Sequence, residues 1–187
     1  MFILTSILLG IALAMDAFSV SVVNGLNEPN MKTRKKIIIP LVFAIFQFIM
    51  PLIGYICVSN LVDNFETFAD IAPFIGFALL LMLGGKMVLE GLLKKEDETI
   101  ITSFPILLVQ GLATSIDALS VGFAIDDYKM IEAIISCIII GLITFIICFT
   151  GVVIGKKIGK KYNGISSILG GIILILIGVV ILIKALI

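Results

Sequence analysis

Gly10-Ile-Ala-Leu-Ala-Met-Asp16-Ala-Phe-Ser-Val-Ser21 and Gly111-Leu-Ala-Thr-Ser-Ile-Asp117-Ala-Leu-Ser-Val-Gly122 match at an offset of 101 residues. Six of the twelve positions are identical: Gly10/Gly111, Ala12/Ala113, Asp16/Asp117, Ala17/Ala118, Ser19/Ser120 and Val20/Val121. Shared Ala and Val carry little weight, because apolar helices resemble one another by composition. A shared acidic residue inside an apolar run carries much more. A charged Asp at the centre of a membrane helix costs about 2.5–3.5 kcal/mol on insertion scales, so two in matching contexts point to a common task.

The surrounding chain is apolar enough to be membrane throughout. It has 187 residues, 60% of them apolar and 14% charged, against about 45–50% and about 25% in soluble domains. Mean hydropathy is +1.27. Thirteen basic and thirteen acidic residues cancel, which leaves no net field to steer a nucleic acid. Six segments are each long enough to span a bilayer, which takes roughly 20 residues: about 2–25, 37–59, 71–93, 101–124, 131–154 and 165–187. Polar or Pro-bearing breaks separate them, beginning with Asn27-Glu28-Pro29-Asn30. The first segment lacks a basic n-region and carries Asp16, so it reads as a mature helix rather than a cleaved leader. Cys57, Cys137 and Cys148 lie in apolar runs without CxxC spacing, and the chain has no His. A disulfide framework or a zinc site is not expected.

Counting basic residues by loop sets the orientation. Lys32, Arg34, Lys35, Lys36, Lys94, Lys95, Lys156, Lys157, Lys160 and Lys161 fall on one side; Lys129 and Lys184 fall on the other. The positive-inside rule places the first group in the cytoplasm and both termini outside. The expected fold is an all-α membrane protein of six transmembrane helices, forming one membrane domain over residues 1–187. Its two three-helix repeats cover about 1–93 and 101–187. An odd number of spans per repeat inverts the second copy. The third and sixth segments echo weakly at an offset of 94, through Gly76/Gly170 and Gly84/Gly178. The second and fifth show no register by sequence.

Asp16 and Asp117 fall about 14 and 16 residues into their spans. At 1.5 Å per residue, both are expected near the membrane midplane. Ser19 and Ser120 follow them at i+3, Thr114 precedes Asp117 at i−3, and Gln47 adds an intramembrane amide. Met15 points about 100° away from Asp16 and reads as a packing residue. Lys86 and Glu90, at i and i+4, can partly neutralise each other and are candidates for gating or coupling. The Asp, Gln, Ser and Thr side chains are hard oxygen donors of the kind that suits Mg, Ca or Mn. Two carboxylates can hold one divalent cation or two protons at the same net charge, and metal binding requires them deprotonated. Exporting a doubly charged ion against an inside-negative potential costs about 4.6 kcal/mol at 100 mV, so export needs coupling, for which proton antiport is suited.

Met15 to Ser21, Pro51-Leu52-Ile53-Gly54, Leu83-Gly84-Gly85-Lys86-Met87-Val88-Leu89-Glu90-Gly91 and Ala113 to Gly122 together resemble the bacterial MntP family of manganese efflux pumps, related to LysE-type exporters. The resemblance implies a six-helix inner-membrane protein exporting Mn²⁺ as substrate, with no resident cofactor. Its intramembrane aspartates would be Asp16 and Asp117, and its Gly-Gly-basic-x-x-x-Glu-Gly segment would be Gly84 to Gly91. Some relatives carry Glu where Gln47 stands. Manganese itself comes from the resemblance; the residues alone specify a hard divalent cation. Other readings remain open at this point. An exporter of a basic amino acid would also want carboxylates. An intramembrane aspartyl protease would use two Asp, although the Tyr-Asp and Gly-x-Gly-Asp strings of the presenilin-like group are absent. A purely structural subunit would leave the midplane Asp pair without a task.

Overall fold

The computed structural model describes residues 2–60, 74, 77, 78, 80–85, 88, 89, 92, 103–125, 128–161 and 166–186. Regular structure among them is helical: α1 (Phe2–Asn27), α2 (Thr33–Asn60), α3 (the helical residues between 74 and 92), α4 (Phe104–Ala124), α5 (Met130–Lys161) and α6 (Ser166–Leu186). In hydrocarbon every backbone N–H and C=O must find a partner inside the chain, which a helix alone achieves within one segment. Four described stretches are long and apolar enough to cross a membrane: Phe2–Asn27, Thr33–Cys57, Phe104–Gly122 and Met130–Gly159; a shorter apolar stretch covers Gly171–Val180.

The helix ends follow local chemistry. After α1 the chain turns through the bond from Met31 N to Glu28 O (3.0 Å), and Lys35 pairs with Glu28 across the turn. Glu132 takes the Lys129 N–H at 3.1 Å, the backward half of a capping box at the start of α5. Two helices outrun their apolar segments: α2 begins at Thr33 rather than 37, and α5 runs on to Lys161 rather than 154. Lys156, Lys157, Lys160 and Lys161 favour that extension, since cations suit a helix C-terminus. Pro40 and Pro51 sit inside α2, as membrane helices tolerate.

The molecule is turned inside out relative to a soluble bundle. Ile37, Leu41, Ile45, Ile49 and Ile53 form an exposed stripe down α2, and Ile131, Ile138, Leu142 and Ile146 do the same on α5. Gln47, Gln110, Asn24, Ser136 and Thr144 are buried. Apolar atoms face outward and amides and hydroxyls inward, the distribution expected when the solvent is lipid. The main core joins Val20, Val23, Ile39, Phe43, Val152 and Leu174.

Glycines let the helices approach backbone to backbone, as small-xxx-small faces do in membranes. α1 and α5 run parallel, with Gly10 on Ile140, Gly151 on Phe18, Gly155 on Val22 and Gly159 on Leu26. α2 and α4 also run parallel, with Gly111 on Phe46, Gly54 on Leu119 and Gly122 on Pro51 and Tyr55. Added Cβ atoms at Gly155 and Gly54 would collide with the carbonyl oxygens of Val22 and Leu119. α3 and α6 cross with Gly84 and Gly171 face to face: a Cβ on either would lie 2.6 Å from the carbonyl oxygen of the other.

These contacts give a register that the sequence does not. Gly10 meets Ile143 where Gly111 meets Phe46, and Gly151 meets Phe18 and Ser21 where Gly54 meets Leu119 and Gly122. The α1 and α4 members of each comparison are 101 residues apart, and the α2 and α5 members 97. An outward-facing apolar groove of about 340 Å³ repeats the second offset. Its lining pairs are Leu41 with Ile138, Ala44 with Gly141, Ile45 with Leu142 and Phe48 with Phe145. For α3 and α6, the reciprocal contact relates Gly84 to Gly171 rather than to Gly178, which packs on Leu80 and Phe77.

Candidate ion-binding site

Gln47 is fully buried on α2. Its Nε2 donates to the carbonyl oxygens of Leu13 on α1 and Thr114 on α4, each at 3.2 Å. Leu13 and Thr114 are 101 residues apart, the offset of the Asp-Ala-x-Ser-Val repeat, and each stands three residues before its Asp. One amide group thus clasps equivalent points of the two Asp-bearing helices. With both N–H groups of Gln47 used in this way, its Oε1 is left buried without a hydrogen-bond partner.

Asp16 is half-buried and Asp117 exposed, and both interact with other groups in the protein. The exposure of Asp117 is local. Ala113, Thr114 and Ala118, on its own turn of helix, are each 3% exposed or less. Ser120, one turn on, is exposed as well, and Ser19 is half-buried. The Ser19 hydroxyl donates to Met15 O (3.0 Å) and that of Thr114 to Gln110 O (2.9 Å). These back-bonds use the protons and leave oxygen lone pairs for a cation. Met15 does not pack in the core: it is 50% exposed on the outer face, where a thioether meets lipid at no polar cost. Lys86 and Glu90 lie outside the described residues.

A second buried amide pair joins α1 to α4. Asn24 Nδ2 donates to Gln110 Oε1 at 2.8 Å, with both residues 1% exposed. From Leu13 to Asn24 numbers rise along α1, while the matched positions fall from Thr114 to Gln110 on α4. The sequence reading missed both residues. Gln110 carries the signal that marked Gln47, an amide within an apolar span, but stands just outside the repeated string. Asn24 was hidden among the polar residues that end the first span.

Among the described residues no three His, Cys, Asp or Glu side chains cluster as a metal would need. The oxygen-bearing side chains described around Gln47 are those of Asp16, Asp117, Ser19, Thr114 and Ser120. That donor set fits a hard divalent ion and fits zinc or copper poorly.

Known proteins bear on which ion this is. A family model described as "Putative manganese efflux pump" (Mntp) matches residues 30–182. A manganese efflux pump of that description from Methanobrevibacter smithii is 42% identical over 182 residues, covering 96% of this chain and 96% of its own. The Methanothermobacter thermautotrophicus protein of the same name is 43% identical over 184 residues, covering 97% of this chain and 96% of its own. The one from Clostridium perfringens strain SM101 is 39% identical over 210 residues, covering 98% and 95%. No solved structure matches. With agreement along nearly the whole length, and with apolar helices that carry their polar groups inward, the chain belongs to the MntP family of manganese efflux pumps.

Proposed function

We propose that the protein exports Mn²⁺ across the cytoplasmic membrane, with Asp16 and Asp117 as carboxylate ligands and Gln47 Oε1 as a neutral ligand. The observation that carries the reading is the bond pair from Gln47 to Leu13 O and Thr114 O. It ties α1 and α4 together one turn before each Asp. Six spans form two inverted repeats, α1–α3 and α4–α6. Support comes from the reciprocal contacts at constant offsets, from the parallel pairs α1/α5 and α2/α4, and from the opposed numbering of α1 and α4. Both termini face outward, in keeping with the basic residues of loops one, three and five.

In this account cytoplasmic Mn²⁺ enters between the repeats and meets the deprotonated aspartates. The repeats rock against each other, the site opens outward, and protons replace the ion. Ser19, Thr114 and Ser120 are further oxygen donors around the ion, and Lys86 and Glu90 belong to the inner gate. Metal uptake into inside-out vesicles tests the account, using a panel of divalent ions with and without a pH gradient. Mn²⁺ accumulates, and an interior acid relative to the bath drives it. Uptake that ignores the gradient contradicts proton coupling.

Gln47→Leu removes the clasp and the amide oxygen together. Loss of a buried hydrogen bond with its partner left unsatisfied costs about 1–3 kcal/mol. The purified variant is expected to melt several degrees lower in detergent and to lose Mn²⁺ uptake. A variant with unchanged melting would show that the two bonds hold nothing.

A further inference from the structure

We propose that the hydroxyl of Thr144 on α5 is a ligand of the transported cation, set across the site from the amide oxygen of Gln47. The inference rests on the reading of Asp16 and Asp117 as the carboxylate ligands.

Thr144 is fully buried, and its Oγ1 has no hydrogen-bond partner. Among the described residues the buried Ser21 Oγ likewise has none, but several other hydroxyls do find partners. Those of Ser19 and Thr114 bond back to the carbonyl four residues earlier, and those of Ser115 and Thr150 to the carbonyl three residues earlier. That back-bond is always within reach of a helical Ser or Thr. A buried hydroxyl that forgoes it, in an apolar interior, lacks the compensation such groups ordinarily find.

Its position identifies the partner. The contacts that equate Gly54 with Gly151 and Phe46 with Ile143 also equate Gln47 with Thr144. The operation that exchanges Leu13 with Thr114 therefore exchanges these two residues, and Gln47 already lies on both backbones. Along the α1/α5 contact, Thr144 falls between Ile140, which faces Gly10, and Gly151, which faces Phe18. That level is the turn of α1 containing Leu13. Ile140 itself packs with Leu13 and Ala118, neighbours of the two aspartates' turns. Two unpartnered oxygens, one from each repeat, thus flank the point where the Asp-bearing helices meet. Thr is shorter than Gln, which leaves room on its side for an ion with a water.

Two carboxylates and two neutral oxygens, completed by water, make an all-oxygen shell for a hard octahedral divalent cation, neutral overall. A sulfur in place of the hydroxyl oxygen would favour softer ions. Mn²⁺ and Cd²⁺ uptake into inside-out vesicles therefore tests the proposal with T144V, T144S and T144C beside the unaltered protein and D16N. T144V should raise the KM for Mn²⁺ on the order of tenfold, while the metal-free protein melts no lower than the unaltered one. T144S should recover most of the lost affinity. T144C should shift the Cd²⁺ to Mn²⁺ preference several-fold toward Cd²⁺. Unchanged Mn²⁺ KM in T144V with unchanged preference in T144C overturns the proposal; if T144V does not fold, T144C alone decides. D16N separates the two levels of failure. If D16N is inactive and the Thr144 variants are unaffected, only this inference falls; if D16N transports normally, the underlying site falls with it.

Discussion

Asp16→Asn and Asp117→Asn should each abolish growth tolerance to excess manganese while leaving the protein in the membrane at its usual level. Asn keeps the shape and one oxygen but removes the charge. With the site closed around the ion, carboxylate and Mn²⁺ would form a buried charge pair; truncating one partner of such a pair typically costs 2–5 kcal/mol or more, and about 1.4 kcal/mol is a factor of ten. A loss of roughly thirtyfold to several-thousandfold in ion affinity takes Mn²⁺ export below what tolerance requires. The two substitutions should be equally severe and the double variant no worse, because either one disables a shared site. Growth assays with immunoblots of membrane fractions check this. Full tolerance in one single variant would remove that residue from the site.

Gly155→Val should prevent stable folding, whereas Gly85→Ala should be tolerated. At Gly155 a Cβ collides with the Val22 carbonyl oxygen and crowds Leu26 N at 3.0 Å. Those are backbone atoms of a packed helix and cannot swing aside as a flexible side chain would. Overpacking a core costs about 1–3 kcal/mol and occasionally more, and a backbone clash belongs at the upper end. Gly54→Val meets a backbone oxygen in the same way, that of Leu119, and should be comparably damaging. At Gly85 an added Cβ has nothing within 4 Å, and Ala is the better helix former by about 1 kcal/mol. Expression and thermal melting in detergent distinguish the cases. Normal melting of Gly155→Val would mean that α1 and α5 do not pack as described.

The two aspartates stand out in the sequence as candidates because a charge inside an apolar run violates the pattern around it, and the same violation marked Gln47, whose burial the structure shows. What Gln47 does was not legible, since its bonds reach main-chain oxygens that carry no sequence signature. The equivalence of α2 and α5 was hidden for a related reason. Gln47 stands opposite Thr144 and Pro51 opposite Cys148, so the two helices share geometry without sharing polar residues. Contacts such as Gly54 on Leu119 and Gly151 on Phe18 are what support it. Thr144 had no signal at all, because Thr is common in membrane helices and normally bonds to its own backbone. Gly151, Gly155 and Gly159 do carry a readable spacing, and their role follows from the small-xxx-small rule. Where residues are described the expected spans were close to the helices, the larger differences being the Thr33 start of α2, the Phe104 start of α4 and the lysine-bearing end of α5.

The central claim is that carboxylates from the two halves grip one ion together. Counting Mn²⁺ bound to the purified protein by electron paramagnetic resonance tests it most directly. The account predicts one Mn²⁺ per chain, lost in D16N and equally in D117N. Unaltered binding in both variants, or two ions of which each variant loses one, would contradict it.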